Sequence, residues 1–153
     1  MNKFIFKLMR FISLKFHKHR IRFLLKNNTL LVFGSPDIVF EDRITIGDNC
    51  SINYQVYING MGGIKIGNNV SISAGVKIIS TGLDISSDKK EHQCNEIIIK
   101  DNVWIGAGAI ILSGVVIGEN SIVGAGSLVN KNINKNEIHA GVPAKLIKIR
   151  NDN

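Results

Sequence analysis

The fold is decided by residues 99–134, which read IKDNVW IGAGAI ILSGVV IGENSI VGAGSL VNKNIN. The first residue of each block of six is Ile or Val. The same period runs through two earlier blocks, which are separated by a two-residue insertion near Gly60–Gly63 and a fifteen-residue insertion after Ile78. A period of six predicts a β-solenoid in which three hexapeptides complete one triangular coil. The twelve aliphatic positions are Ile46, Ile52, Ile58, Ile66, Ile72, Ile78, Ile99, Ile105, Ile111, Ile117, Val123 and Val129.

A second set of positions, four residues after each aliphatic, is mostly small or β-branched. We expect these side chains to fill the narrow corners of the coil while the aliphatics stack inside it. Runs of Gly, Asn and Asp between them are expected to supply turns with positive φ. A β-sandwich would give no reason for a strict period of six. The corner positions are Cys50, Val56, Val70, Val76, Val103, Ala109, Val115, Ser121 and Ser127.

The charge of the chain is unevenly distributed. The 153 residues carry a net charge of +7, yet residues 1–28 hold eight Lys/Arg and no acid, whereas residues 29–153 hold eleven Lys/Arg and twelve Asp/Glu. The body is therefore near neutral and does not indicate a nucleic-acid partner. Two cysteines, Cys50 and Cys94, form neither a disulfide framework nor a metal-ligand spacing, which favours a reducing, cytoplasmic compartment.

The basic arm, residues 1–28, has the pattern of an amphipathic helix. Charges interrupt its apolar residues too often for a transmembrane span or a secretory signal. Two interpretations remain open. The apolar face packs on the body or on a neighbouring subunit, or the arm lies peripherally on an anionic membrane at the inner face. The apolar face comprises Phe4, Ile5, Leu8, Met9, Ile12 and Phe16.

Residues 44–150 resemble the hexapeptide-repeat acyltransferases, in particular the branch that is similar to sugar O-acetyltransferases. The resemblance is most specific at Asp101–Leu112, Val123–Ser127 and Gly141–Lys145. It implies an all-β fold, a left-handed parallel β-helix of about four to five coils. The expected organisation is a short N-terminal helix within residues 1–28, a β-helix domain over 29–138 with a protruding loop at about 79–96, and a closing segment over 139–153.

The resemblance also implies an activity. Members of this family transfer an acetyl or other acyl group from a coenzyme A thioester to a hydroxyl or amine, and they work as homotrimers with active sites between subunits. Such chemistry needs a base, donors for the tetrahedral oxyanion and a groove for the thioester, and it needs no metal. The implied donor is acetyl-CoA, and the implied acceptor is a sugar or a surface-polysaccharide precursor.

Histidine is the natural base because imidazole titrates near neutral pH. Among the four histidines, only His92 lies in the protruding loop, a position that suits function on a rigid scaffold. Many relatives carry the catalytic histidine earlier, where this chain has Thr81, and other relatives carry a loop histidine five residues before the strand, as His92 stands before Ile97. His92 is therefore the predicted base, with Asp84 or Glu91 as its orienting carboxylate.

The remaining site residues come from the same resemblance. Trp104 is expected to turn outward and to form a pocket wall beside the loop, because it precedes an inward Ile. Backbone at the two Gly-Ala-Gly stretches is expected to contact coenzyme A, three lysines to bind its phosphates, and an Asn-aromatic pair, with Thr81, to contact the acceptor. These residues are Ala107, Gly108, Ala125, Gly126, Lys131, Lys145, Lys148, Asn53 and Tyr54.

Other functions remain as alternatives. One is N-acetylation of an amino sugar, or acetylation of serine or an antibiotic; another is a non-catalytic β-helix scaffold. The carbonic anhydrases of the same fold need three His ligands at a subunit interface, and the solenoid body offers only His92 and His139, which excludes that class.

Overall fold

The computed structural model describes residues 21, 23, 25–84 and 91–150. Ile21 and Phe23 are helical, so the predicted N-terminal helix lies largely outside the described residues. One 3-10 turn (Glu41–Arg43) interrupts an otherwise all-β body. The strands are β1 (Leu31–Val32), β2 (Asp37–Val39), β3 (Ile44–Ile46), β4 (Ser51–Ile52), β5 (Tyr57–Asn59), β6 (Ile64–Ile66), β7 (Ser71–Ile72), β8 (Lys77–Ile79), β9 (Thr81–Leu83), β10 (His92–Cys94), β11 (Ile97–Ile99), β12 (Trp104–Ile105), β13 (Ile110–Ile111), β14 (Val116–Ile117), β15 (Ile122–Val123), β16 (Leu128–Val129), β17 (Glu137–Gly141) and β18 (Ala144–Ile149).

Three parallel sheets form the sides of a solenoid of about five turns. The chain visits a seven-stranded sheet (β1-β4-β7-β12-β15-β17-β18), a five-stranded sheet (β16-β13-β8-β5-β2) and a four-stranded sheet (β14-β11-β6-β3) in the same cyclic order on each turn. Only the final pair, β17 and β18, is antiparallel within these sheets. The solenoid predicted from the period of six is therefore confirmed.

The periodic aliphatics form the core. In the seven-stranded sheet Ile52 pairs with Ile72, Ile72 with Ile105, and Ile105 with Val123, and each of these side chains is at most 1% exposed. Equivalent stacks run inside the other two sheets. Eleven of the twelve periodic positions are buried, and Ile46 is half-buried at the open N-terminal end. Burying one such side chain contributes roughly 1.5–3 kcal/mol.

The corners confirm the expected positive φ at asparagine but not at the glycines that follow the aliphatics. All nine small or β-branched corner residues are buried, as predicted. The residue before each corner takes the positive φ, and it is Asn49, Asn69, Asn102 or Asn120 at one edge of the prism. The glycines that directly follow the aliphatics do not supply positive φ. At Gly106, for example, a Cβ would lie 2.6 Å from the nitrogen of Ala125, so glycine is needed there for close coil contact.

The two ends of the solenoid also differ in detail from the prediction. The repeat begins one partial coil before Ile46, because Val32 pairs with Ile52 and Ile38 with Ile58. The closing segment expected from residue 139 begins at Glu137 and forms the β17–β18 hairpin on the edge of the seven-stranded sheet. Among the described residues, no helix has the length and apolarity to cross a bilayer.

Candidate active site

The protruding loop is a β-hairpin that leaves the solenoid between the five-stranded and the four-stranded sheets. Strands β9 and β10 pair antiparallel, with His92 opposite Leu83 and Cys94 opposite Thr81. His92 is exposed, and its imidazole has no hydrogen-bond partner among residues 25–84 and 91–150. The imidazole is thus accessible to a ligand or to a second copy of the chain.

The predicted orienting carboxylates, Asp84 and Glu91, lie opposite each other just beyond the last residue pair of β9 and β10. The amide of Asp84 donates to the carbonyl of Glu91 at 2.9 Å, which extends the hairpin. Because side chains alternate along a strand, this rung faces away from the side that carries His92. The geometry therefore does not bring either carboxylate onto the imidazole in the described part of the chain.

Trp104 turns outward as predicted and is 53% exposed. Its indole Nε1 donates to the hydroxyl of Ser73 at 3.0 Å, which ties the ring to the neighbouring coil. Trp104 belongs to the seven-stranded sheet, whereas the hairpin leaves from the opposite edge of the prism. The expectation that Trp104 stands beside the loop is therefore wrong within one chain, since they occupy different sides of the triangle.

The two Gly-Ala-Gly stretches stack at the corner next to Trp104, one coil apart. The amide of Gly108 donates to the carbonyl of Ala74, and that of Gly126 to the carbonyl of Ala107. Ala107 and Ala125 are exposed, and within the described residues their own amides donate no hydrogen bond. Two unbonded donors thus stand about 4.8 Å apart, the spacing of adjacent strands.

Open space surrounds these donors. Gly108 and Gly126 have φ of +68° and +66°, and a Cβ at either would meet nothing within 4 Å. Glycine is needed there for its left-handed backbone, and the missing side chains leave the corner accessible to a ligand. An extended amide-containing chain fits this row of donors, since each amide carbonyl of such a chain can accept one N–H.

The three predicted phosphate-binding lysines do not lie together. Lys145 pairs with Ala140, and Ala140 packs against Gly124. Lys145 therefore lies on the same side of the prism as the Gly-Ala-Gly corner. Lys148 pairs with Ile138, which is in register with Ile122 and then with Trp104, so Lys148 lies in line with Trp104 three strands away. Lys131 instead follows β16 at the edge from which the hairpin protrudes.

The acceptor pair is on the seven-stranded side. Asn53 and Tyr54 follow β4, one coil below Ser73, and Tyr54 is 54% exposed. Its ring lies against Gly34, where a Cβ would clash with it. Ser73 was not predicted as a site residue. Part of the signal was present, because Ile72 and Ile105 share a phase of the repeat, which places Ser71 directly opposite Trp104 and Ser73 diagonal to it.

Two family models match the hexapeptide repeats of the chain. The model for the bacterial transferase hexapeptide (six repeats) matches residues 96–131, and the model for the hexapeptide repeat of succinyl-transferase matches residues 43–79. The chain is a hexapeptide-repeat protein. Both matched segments lie in the stacked coils that carry Trp104 and the Gly-Ala-Gly corner or the Asn53–Tyr54 pair.

Relatives of this hexapeptide-repeat protein include acetyltransferases for sugars. It is 38% identical to the galactoside O-acetyltransferase of Escherichia coli K12 over 76% of this chain and 60% of that protein. The chain thus spans about three-fifths of that relative's length.

Solved structures with the same fold include two acetyltransferases. The hexapeptide-repeat containing acetyltransferase of Vibrio cholerae, complexed with acetyl coenzyme A, matches with a TM-score of 0.76 and 28% identity, over 86% of this chain and 75% of that one. A maltose O-acetyltransferase from Clostridium difficile 630 matches with a TM-score of 0.76 and 25% identity, over 94% and 89%.

The second histidine of the body has a structural role. His139 continues the inward column of Val123, and its Nε2 lies 2.9 Å from a carboxylate oxygen of Glu137. Both side chains are 13% exposed. Hydrogen bonds from Asn134, and then the bond with His139, hold the pKa of Glu137 below its ordinary value, although partial burial opposes the shift. This network closes the C-terminal end of the core.

Glu137→Gln is expected to destabilise the protein in a pH-dependent manner. Because the folded-state pKa of Glu137 is depressed, its stabilisation is fully present above about pH 4.5 and is lost as the pH falls through the folded-state value. The Tm difference between the parent protein and Glu137→Gln should therefore be largest near pH 6–7 and shrink below about pH 4.5. Thermal unfolding by circular dichroism measures it, with Glu119→Gln as the exposed control. A Tm difference that is constant with pH would contradict this role.

Proposed function

We propose that this protein is an acetyl-CoA-dependent O-acetyltransferase that acts on a sugar hydroxyl, such as one in a surface-polysaccharide precursor. The observation that carries the proposal is the pair of unbonded, exposed amides at Ala107 and Ala125, one coil apart, between Trp104 and Lys145. This corner suits a pantetheine arm, and the ammonium groups of Lys145 and Lys148 suit phosphates at its far end. The acetyl coenzyme A complex of the Vibrio cholerae relative supports this donor.

The base in this proposal is His92, supplied by a second copy of the chain. The thioester corner and the hairpin lie on different sides of one prism, so a single chain presents two half-sites that face away from each other. A homotrimer with parallel axes brings the hairpin of one copy against the seven-stranded side of the next. A closed ring of this kind uses each half-site once.

The steps follow from the positions of these groups. His92 accepts the proton of the acceptor hydroxyl, and the oxygen forms a bond to the thioester carbonyl carbon. The amide of Ala107 or Ala125 donates to the oxygen that becomes negative. When the carbon–sulfur bond breaks, the thiolate takes the proton back from the imidazolium, so no net proton remains on the protein. Trp104 and Tyr54 provide apolar faces against which a sugar ring can stack.

The test is thiol release from acetyl-CoA in the presence of a galactoside, maltose, glucosamine or serine, followed by mass spectrometry of the acceptor. We expect turnover with the hydroxyl sugars and an ester product. Turnover only with glucosamine and an amide product, or only with serine, would replace the proposal by the corresponding acetyltransferase. No thiol release with any acceptor, and no affinity for coenzyme A, would leave a non-catalytic scaffold.

We also propose that the basic arm, residues 1–28, holds the enzyme at an anionic membrane surface. Each Lys/Arg near such a surface adds roughly 1 kcal/mol, and the arm has eight of them and no acid. Co-sedimentation with vesicles that contain about 30% phosphatidylserine should be lost on deletion of residues 1–28 and should weaken with salt. Unchanged sedimentation of the deletion variant would instead favour packing of the arm on protein.

A further inference from the structure

The base of the hairpin is held by two serine hydroxyls. Ser80 directly precedes β9 and is fully buried. Its Oγ donates to the carbonyl of Asn59 at 2.7 Å and accepts the amide of Gly62 at 2.8 Å. These bonds fix the outgoing strand to the coil below.

Ser113 ties the returning strand to the same point. It lies one coil above, in the connection after β13, and its Oγ accepts the amide of Asn95 at 3.0 Å. The same hydroxyl donates to the carbonyl of Ser80 at 3.1 Å and, at the longer distance of 3.4 Å, to the carbonyl of Asn95. One side chain thus links both stems of the hairpin to the solenoid, with its single donor and an acceptor lone pair both in use.

Among its described residues, the outer part of the hairpin has few contacts with the body, although Glu96, near the base, pairs with Lys65 at 2.9 Å. All residues from Glu91 to Glu96 are exposed, so strand β10 is not packed against the body. His92 lies three residues from Asn95, about 10 Å at the rise of a strand. A tilt of about 6° at the base would therefore displace the imidazole by about 1 Å, and a displacement of that size can cost on the order of 100-fold in rate.

We propose that Ser113 is a positioning residue that aims the His92 hairpin at the acceptor. It touches neither acceptor nor coenzyme A, and it acts by adding a side-chain link at the point where the Asn95 amide already donates to the Ser80 carbonyl at 3.2 Å. The inference rests on the proposed function, because it assigns Ser113 to the delivery of the proposed base. No feature of the repeat requires a hydroxyl here, since Ser113 lies at neither an inward nor a corner position of the period.

The experiment compares Ser113→Ala, Ser113→Thr and the control Thr45→Ala, an exposed hydroxyl residue on the four-stranded sheet. Ser113→Ala is expected to lower kcat about 10- to 100-fold while the KM for acetyl-CoA changes less than about twofold, because the thioester corner is untouched. Ser113→Thr keeps the hydroxyl and should recover most of kcat. Hydrogen exchange should accelerate at the hairpin amides in Ser113→Ala only, with the Tm nearly unchanged.

The outcomes separate the two proposals. A parent protein without thiol release refutes the proposed function, and the positioning role falls with it. An active parent with an equally active Ser113→Ala refutes the positioning role alone. A loss of kcat in Ser113→Ala that comes with a large fall in Tm and no recovery in Ser113→Thr assigns Ser113 to folding and also overturns the inference.

Discussion

Replacing His92 by alanine is expected to lower kcat for acetyl transfer by about 10²- to 10⁴-fold, the usual contribution of a positioned general base. The side chain is exposed on the hairpin and makes no hydrogen bond within the described residues, so the substitution removes no structural contact. The KM for acetyl-CoA should change little, because the Gly-Ala-Gly corner lies on another side of the prism. Steady-state thiol release measures both constants.

The matched control is Gln93→Ala. Gln93 is equally exposed, neighbours His92 on the same strand and faces the opposite side of the hairpin. It should retain nearly full activity. An active His92→Ala variant, or an equal loss in both variants, would remove His92 from the role of base.

Two inactive variants are expected to restore activity when they assemble together. Ala125→Trp fills the open corner with an indole and blocks the unbonded amides. Because Ala125 is exposed, the larger side chain should not disturb the fold. His92→Ala removes the base from the hairpin. If each site combines the hairpin of one copy with the corner of the next, co-expression in equal amounts leaves about one quarter of the sites intact.

The measurement is thiol release by mixed oligomers, purified through two different tags carried by the two variants. Each variant purified alone is the baseline. Mixed oligomers as inactive as the single variants would place both halves of the site within one chain and contradict the two-copy arrangement.

Much of the fold could be predicted because the period of six in the sequence follows directly from the geometry of one strand and one corner of the coil. A strand, a corner and the next strand repeat identically, so Ile72 and Ile105 are recognisable as stacked neighbours even across the long insertion. Burial of small residues such as Ala109 and Ser127 follows from the same repeat. The first, partial coil was not predicted from the sequence. The 3-10 turn at Glu41–Arg43 breaks the period of six between Ile38 and Ile46.

The site was less accessible to sequence reasoning. Periodicity assigns each residue to a side of the prism, whereas the resemblance groups Trp104 with the hairpin and Lys131 with Lys145. The topology separates both pairs. The role of Ser113 could not be predicted, because it depends on where the two stems of a non-repeating insertion meet the next coil. A period describes only the residues that repeat.

The most direct test is a crystal structure of the protein with coenzyme A. We predict a pantetheine arm along the corner formed by Ala107 and Ala125, hydrogen-bonded to their amides, with the thiol facing His92 of a neighbouring copy. Coenzyme A bound on the five-stranded or four-stranded side, or a thiol with no imidazole near it, would contradict the proposed site.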